Sequence, residues 1–293
     1  MTINLRKRIR IGAPAPQVWE ALTDPAALQL WLAEHAAVEL SDRYEFWGRY
    51  TPEGTEARQR LRQVGDRSLV FDWVLDGETT TVEIGLAEEP GGSTVVSLSQ
   101  TGTPGWPEML SLPGSRSLMH TFWALALANL ADHVEGRQIT PRVDFTDPNL
   151  GAVVMIDADR QRVYESLTQY EEFSRWFGAK VEMELFEGGR FAMGGFADNP
   201  APAHIVQLEP GRSMTIDWGG MVSTWELEDS DGQTRMTIVQ SGFDEHEPPF
   251  DGWLGWLAGV AELRRYNEQP NWRPMWLEVF ATGMPEGLLT VGE

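Results

Sequence analysis

The chain contains no cysteine, so disulfides, thiolate nucleophiles and cysteine-based zinc sites are all excluded. Such a composition suits a reducing compartment, and a cytoplasmic location is expected. Lysine is almost absent too: Lys7 and Lys180 are the only two, and the other 21 basic residues are arginine. Long apolar runs are missing, since the most apolar stretch, around Phe122 to Ala128, is far too short to span a bilayer. The N-terminal MTINLRKRIRIG is basic but leads into no apolar segment, so no signal peptide is expected. Positive charge is scarce as well. Against 23 basic residues stand 44 acidic ones, giving a net charge of -21. Residues 1–140 hold 18 acidic and 12 basic residues, and residues 141–293 hold 26 and 11. A chain this acidic repels phosphate backbones and anionic membrane surfaces, so neither is an expected partner. No nucleophile elbow, P-loop or dinucleotide fingerprint is present, and no cofactor or metal is expected.

What the chain does contain is itself, twice. Shifting residues 11–32 by 145 positions places Ile11 on Ile156, Ala13 on Ala158, Val18 on Val163, Leu22 on Leu167 and Trp31 on Trp176. Apolar bulk is kept where identity is not, as at Trp19/Tyr164 and Leu28/Phe173. Asp72-Trp73 matches Asp217-Trp218 at the same offset, Gln100 matches Gln240 at 140, and Trp123 matches Trp256 at 133. Offsets that drift at loops while the elements stay in step indicate a duplicated domain. At 42% hydrophobic and 10% aromatic content, each half can bury a sizeable core.

Residues 3 to 11 alternate apolar and basic, the period of a half-exposed strand. Two short helices follow, the second opened by Asp24 as N-cap and Pro25 at its first position. From Val38 to Thr101, six short β-rich runs are separated by turn-formers such as Asp76-Gly77, which predicts an antiparallel meander. Residues 103–114 read as a loop, and a long helix is expected from Ser115 or Ser117 to about Glu135, ended by Gly136. The order then repeats. The expected division is 1–136, a linker at 137–150, a second domain at 151–268 and an extension at 269–293. Within the extension, NWRPMWLEVF is expected to add a helical turn or two, with Trp272 and Trp276 blocking the second half's cavity.

This order resembles the helix-grip fold of the SRPBCC (START/Bet v 1-like) superfamily. More closely it is similar to the activator-of-Hsp90-ATPase-homologue (AHSA1-like) branch. The residues that carry the likeness are Ala15 to Asp24 (APQVWEALTD), Ala158 to Gln169, Trp31 and Trp176, GGRF at Gly188 to Phe191, and the Asp-Trp pairs at Trp73 and Trp218. SQTG and VQSG after the last strands, and the tryptophan-bearing final helices, add to it. The first half departs at Phe46 to Tyr50, and the second has Gln169-Tyr170 in place of Asp24-Pro25. The resemblance implies an α+β protein of two tandem helix-grip domains. Each would be an antiparallel curved sheet wrapped around a long C-terminal helix, with two short helices after the first strand. It also implies a cavity between each sheet and its helix.

Candidates to line those cavities are Trp47, Phe71, Trp73, Met119, His120, Phe122 and Trp123 in the first half. In the second they are Phe191, Met193, Trp218, Trp225, Trp253 and Trp256. Thirteen tryptophans supply large faces suited to stacking on a flat ligand, although each is able to serve as plain core, and Trp31 and Trp176 are expected to pack helix against sheet. His120 is the one candidate polar anchor among them, against the alternative of a solvated or capping histidine. Asp72 and Asp217 are expected to face solvent, opposite Trp73 and Trp218, and in Phe243 to Asp251 adjacent acidic side chains diverge rather than converge on a metal. The expected function is therefore non-catalytic binding or sequestration of a hydrophobic, aromatic small molecule, stress- or resistance-related, by an internal pseudo-dimer. The alternatives are a co-chaperone-type module whose acidic second half contacts a protein partner, and a cyclase-like enzyme using His120.

Overall fold

A computed structural model describes residues 3–40, 42–109, 112–285 and 288–289. The remainder of the expected extension (286–287 and 290–293), Met1 and Thr2, and residues 110–111 of the expected loop lie outside the described residues.

The first half runs β1 (Ile3–Ile11), α1 (Ala15–Thr23), α2 (Pro25–Trp31), β2 (His35–Glu39), β3 (Arg43–Trp47), β4 (Gln59–Gly65), β5 (Ser68–Leu75), β6 (Glu78–Glu88), β7 (Thr94–Thr101), α3 (Trp106–Met109) and α4 (Met119–Val134). The second runs β8 (Leu150–Ile156), α5 (Arg160–Thr168), α6 (Tyr170–Phe177), β9 (Val181–Met183), β10 (Arg190–Met193), β11 (Ala203–Glu209), β12 (Ser213–Asp217), β13 (Val222–Ser230), β14 (Gln233–Ser241) and α7 (Phe250–Glu268). A last strand, β15 (Trp276–Ala281), follows. Asp24 accepts hydrogen bonds from the backbone N–H groups of Ala26 and Ala27, which is the cap that starts α2.

The two halves repeat down to single bonds. Trp31 Nε1 donates to the Ala21 carbonyl at 2.9 Å, and Trp176 Nε1 donates to Ser166 at 2.8 Å. Thr94 Oγ1 donates to the Ala13 carbonyl and Thr234 Oγ1 to that of Ala158, both at 2.7 Å. Both halves are helix grips, with sheets ordered β15-β1-β7-β6-β5-β4 and β8-β14-β13-β12-β11-β10-β9. All ladders are antiparallel.

Four features differ from the sequence reading. The first meander is broken, since β2 and β3 pair only with each other and form a separate hairpin. The expected loop at 103–114 carries the short helix α3. Helix α4 begins at Met119 rather than at a serine cap, because Asp76 instead accepts the backbone N–H groups of Ser115 and Arg116. The extension is a strand and not a helical turn: β15 pairs with β1, placing Val279 opposite Lys7. Its β-branched and aromatic run WLEVFA suits a half-buried edge position, and it covers a flank of β1 that would otherwise be open.

The halves meet through α4 and α7, and their apolar cores are continuous across that contact. Asp132 lies at its centre, buried, and accepts from Arg265 Nε at 2.8 Å, while Arg265 also reaches Glu135 at 2.8 Å. Thr121 donates to Asp251 from one half to the other.

Candidate functional site

Inside each grip the aromatic side chains occupy the space between sheet and helix. Trp73 packs edge-to-face on Phe46 at 5.0 Å, on Phe122 at 5.6 Å and on Trp123 at 6.0 Å. Phe71, Trp73, Met119, Phe122 and Trp123 are all buried. Edge-to-face pairs of this kind add ~0.5–1.5 kcal/mol each beyond the area they bury. Trp123 Nε1 is satisfied by Gln100 at 2.7 Å, and Gln100 in turn donates to Thr80 at 2.9 Å. Phe191 packs on Phe173, Trp218 and Trp225, and Trp225 packs on Trp256 at 5.1 Å. Trp253 is buried in the same cluster. Small spaces of ≈10 Å³ border these clusters, one among Trp31, Phe122 and Leu254 and one among Tyr164, Met214 and Trp225. The equivalent of Gln100, Gln240, is buried with no hydrogen-bond partner for its amide, so the polar network of the first half is not reproduced in the second.

Trp47 is one residue out of phase with the expectation. In β3 the inward positions are Tyr44 and Phe46, while Trp47 turns to the other face and lies against His35 at 5.5 Å. Asp72 points away from Trp73, toward Arg62 and Thr81.

Of the thirteen candidates, His120 and Met193 border a larger space lined by residues of both halves. This is a cavity of ≈350 Å³ between the halves. Helix α7 forms its floor with Gly255, Ala258 and Gly259, which lie at spacings of three and four and so share one face. A Cβ on Gly259 would approach the Phe177 ring to 3.3 Å, so the bare backbone there sets the shape of the wall. Trp176 and Phe177 come from the end of α6, Ala124 and Thr121 from α4, and Trp106 and Met109 from α3. The extension lines a further side with Pro274, Trp276 and Val279, and with Leu288 and Leu289. It is anchored by the Trp106 N–H donating to the Thr282 carbonyl at 2.7 Å and by Arg10 N–H donating to Met275 at 2.8 Å. The expected plug of the second grip is therefore a wall of the space between the grips. Trp272 packs on Tyr266, and Trp276 lies beside Lys7.

Burial pushes every titratable group set deep in this space toward its neutral form. Lys7 is 1% exposed, its Nζ lies 3.5 Å from His120 Nε2 and 5.3 Å from the Trp276 ring centroid, and desolvation lowers its pKa to about 7. His120 is held well below the usual histidine range, first by burial and then by the charge of Lys7. Across the space Glu262 is raised to about 7 by burial, against the opposing pull of Arg265, and it accepts from the Met275 N–H at 3.3 Å. Asp251 is raised by burial, partly countered by the Thr121 hydroxyl. The result is a largely apolar chamber in which burial favours the neutral forms of Lys7, His120, Glu262 and Asp251. Among the described residues, no three His, Asp or Glu side chains are placed to hold a metal, and no helix is long and apolar enough to cross a membrane.

Sequence reasoning passed over Lys7, Glu262, Trp106 and the Gly255–Gly259 face. A signal for Lys7 was available: it interrupts the inward-facing series Leu5, Ile9, Ile11, and the second half has Ala152 at its place.

The family model for activator of Hsp90 ATPase homolog 1-like proteins matches residues 12–135 and again residues 157–266. Among solved structures, DynU16, a putative protein in the dynemicin biosynthetic locus, is 16% identical and matches over 92% of this chain and 99% of its own, with a TM-score of 0.39. CalU16 from Micromonospora echinospora is 22% identical over 41% of this chain and 75% of its own, at 0.35. The Aha1 dimer from Colwellia psychrerythraea is 17% identical over 42% of this chain and 98% of its own, at 0.37. No curated protein matches the chain significantly.

Proposed function

We propose, from the premise that this chain belongs to the activator of Hsp90 ATPase homolog 1-like family, that it binds and sequesters a flat, apolar small molecule between its two halves. The halves, taken as 1–136 and 151–268, act as a covalent pseudo-dimer, with the extension as a third wall. The single observation that supports this is the contrast in space. The aromatic residues inside the grips are buried and packed on one another, whereas the chamber between the halves measures ≈350 Å³ and is walled by Trp106, Trp176, Phe177 and Trp276. A volume of that size falls within the range of ~300–1,000 Å³ typical of small-molecule sites. We take the compartment to be the cytoplasm, in keeping with a chain that has no cysteine.

Titrating the protein with naphthalene and anthracene derivatives while following tryptophan emission tests this. Saturable quenching is expected, and Ala124→Phe, which fills the chamber from α4, abolishes it. Emission that stays unchanged across a broad panel of such compounds refutes the reading.

A further inference from the structure

We propose that Lys7 captures aromatic aldehydes entering the chamber, holding them as a reversible imine on its ε-amino group. This rests on the binding function proposed above and adds a chemical class of guest to it.

The placement of Lys7 is the ground for the inference. The chain carries 44 carboxylates, yet among the described residues none lies within ion-pair distance of this buried amine. Its strand neighbours Arg6 and Arg8 point outward, so Lys7 is turned alone into the apolar side of β1. The groups that share the chamber with it are His120 from α4, Arg175 from α6, and Asp251 and Glu262 from α7; β15 contributes only the Trp276 ring and Val279. None of the two acids is its partner: Asp251 is engaged by Thr121, and Glu262 by Trp272 and Met275. A lysine desolvated in this way is in substantial part unprotonated at neutral pH, and its free amine is a nucleophile toward carbonyl carbon. The neutral His120 ring, 3.5 Å from Nζ, is within reach to relay a proton.

The step balances without any redox partner. The Lys7 nitrogen attacks the aldehyde carbon, and a proton passes from nitrogen to the carbonyl oxygen, giving a carbinolamine. The C–O bond then breaks, the oxygen leaves as water with a second proton from nitrogen, and a C=N bond remains. Because Lys7 is reached from the chamber and not from bulk solvent, the guest must first fit between Trp106, Phe177 and Trp276, which selects flat aromatic aldehydes over small polar ones.

The chain supplies its own reference, since Lys180 is the only other lysine, is exposed, pairs with Glu182 at 2.9 Å, and has its pKa raised by that partner. The full-length protein is incubated at pH 7 with 2-naphthaldehyde and sodium cyanoborohydride, and adducts are located by fragment-ion mass spectrometry, which separates the α-amino group from both lysines. The expected result is one naphthylmethyl group at Lys7, with labelling of Lys180 on the order of a hundredfold slower. 2-Methylnaphthalene, which has no carbonyl, is titrated in parallel by tryptophan quenching of the unaltered protein, and Lys7→Met is expected to lose the lysine adduct. Quenching by 2-methylnaphthalene without an adduct at Lys7 overturns the imine and leaves apolar binding standing. Failure of both overturns both. Labelling of Lys180 as fast as Lys7 overturns the imine site.

Discussion

Lys7 should cost the protein stability, and the cost has a defined dependence on pH. In the unfolded chain the amine titrates at its ordinary 10.5, and in the folded protein at about 7. At ~1.36 kcal/mol per pKa unit, that difference corresponds to ~4–5 kcal/mol against the protonated form in the folded state. Below pH 7 the amine is protonated in both states and the whole penalty falls on the folded protein. Between pH 7 and 10.5 the unfolded chain holds a proton that the folded chain has released, so stability climbs with pH. Above 10.5 the penalty is gone. Lys7→Met keeps the length and bulk of the side chain and removes the charge. It is expected to raise the unfolding free energy by ~2–4 kcal/mol at pH 6, part of the full penalty being recovered by local relaxation. That advantage should fall to ~1 kcal/mol or less at pH 10.5. Guanidinium denaturation followed by tryptophan emission at several pH values measures it. Glu262 and His120 titrate in the same chamber but act on other windows. The raised Glu262 gives stability present below pH 4.5 and lost as pH rises toward 7, and the lowered His120 gives stability lost as pH falls below 6.5. Both persist in the variant, although loss of the Lys7 charge relaxes His120 somewhat. Parallel profiles for the two proteins, or a variant that is less stable at pH 6, would refute the reasoning.

Arg265→Ala leaves the buried Asp132 without its closest ion-pair partner, with Arg264 and Arg137 as the remaining nearby cations, and should cost ~3 kcal/mol, seen as a fall in Tm of ~6 °C or more by calorimetry. Gly255→Ala adds a Cβ that meets Thr121 Cγ2 at an ordinary 3.5 Å and should stabilise α7 by ~0.5–1 kcal/mol in chemical denaturation. The same change at Gly259 meets the Phe177 ring at 3.3 Å and should gain less or nothing. Deleting residues 270–293 removes β15, opens the chamber and bares the β1 edge. Naphthalene uptake should weaken and light scattering should reveal concentration-dependent association; a monomer with unaltered uptake counts against this role of the extension.

The duplicated grip was legible in the sequence because its signals are local. Asp24-Pro25 can start a helix without help from elsewhere, alternation along residues 3–11 marks a strand, and an offset of 145 that drifts to 140 and 133 carries the elements from one half to the other. Aromatic identity was legible too, but not its use. Trp47 and Phe46 are neighbours, and which of them faces inward depends on a strand phase that a single residue reverses. Nor can composition say whether Trp73, Phe122 and Trp123 enclose a void or fill it, since filling is a collective property of rings meeting at 5–6 Å.

The extension and the chamber were beyond reach for a related reason. WLEVFA finds its partner some 270 residues upstream, at β1, and nothing local encodes that pairing. Lys7 and His120 are 113 residues apart, and Thr121 and Asp251 are 130 apart. By itself, then, the sequence determined two copies of one fold, because patterning and capping act over a few residues. The tertiary structure alone decided where space was left and which charges were stripped of water, because both follow from how two finished surfaces meet.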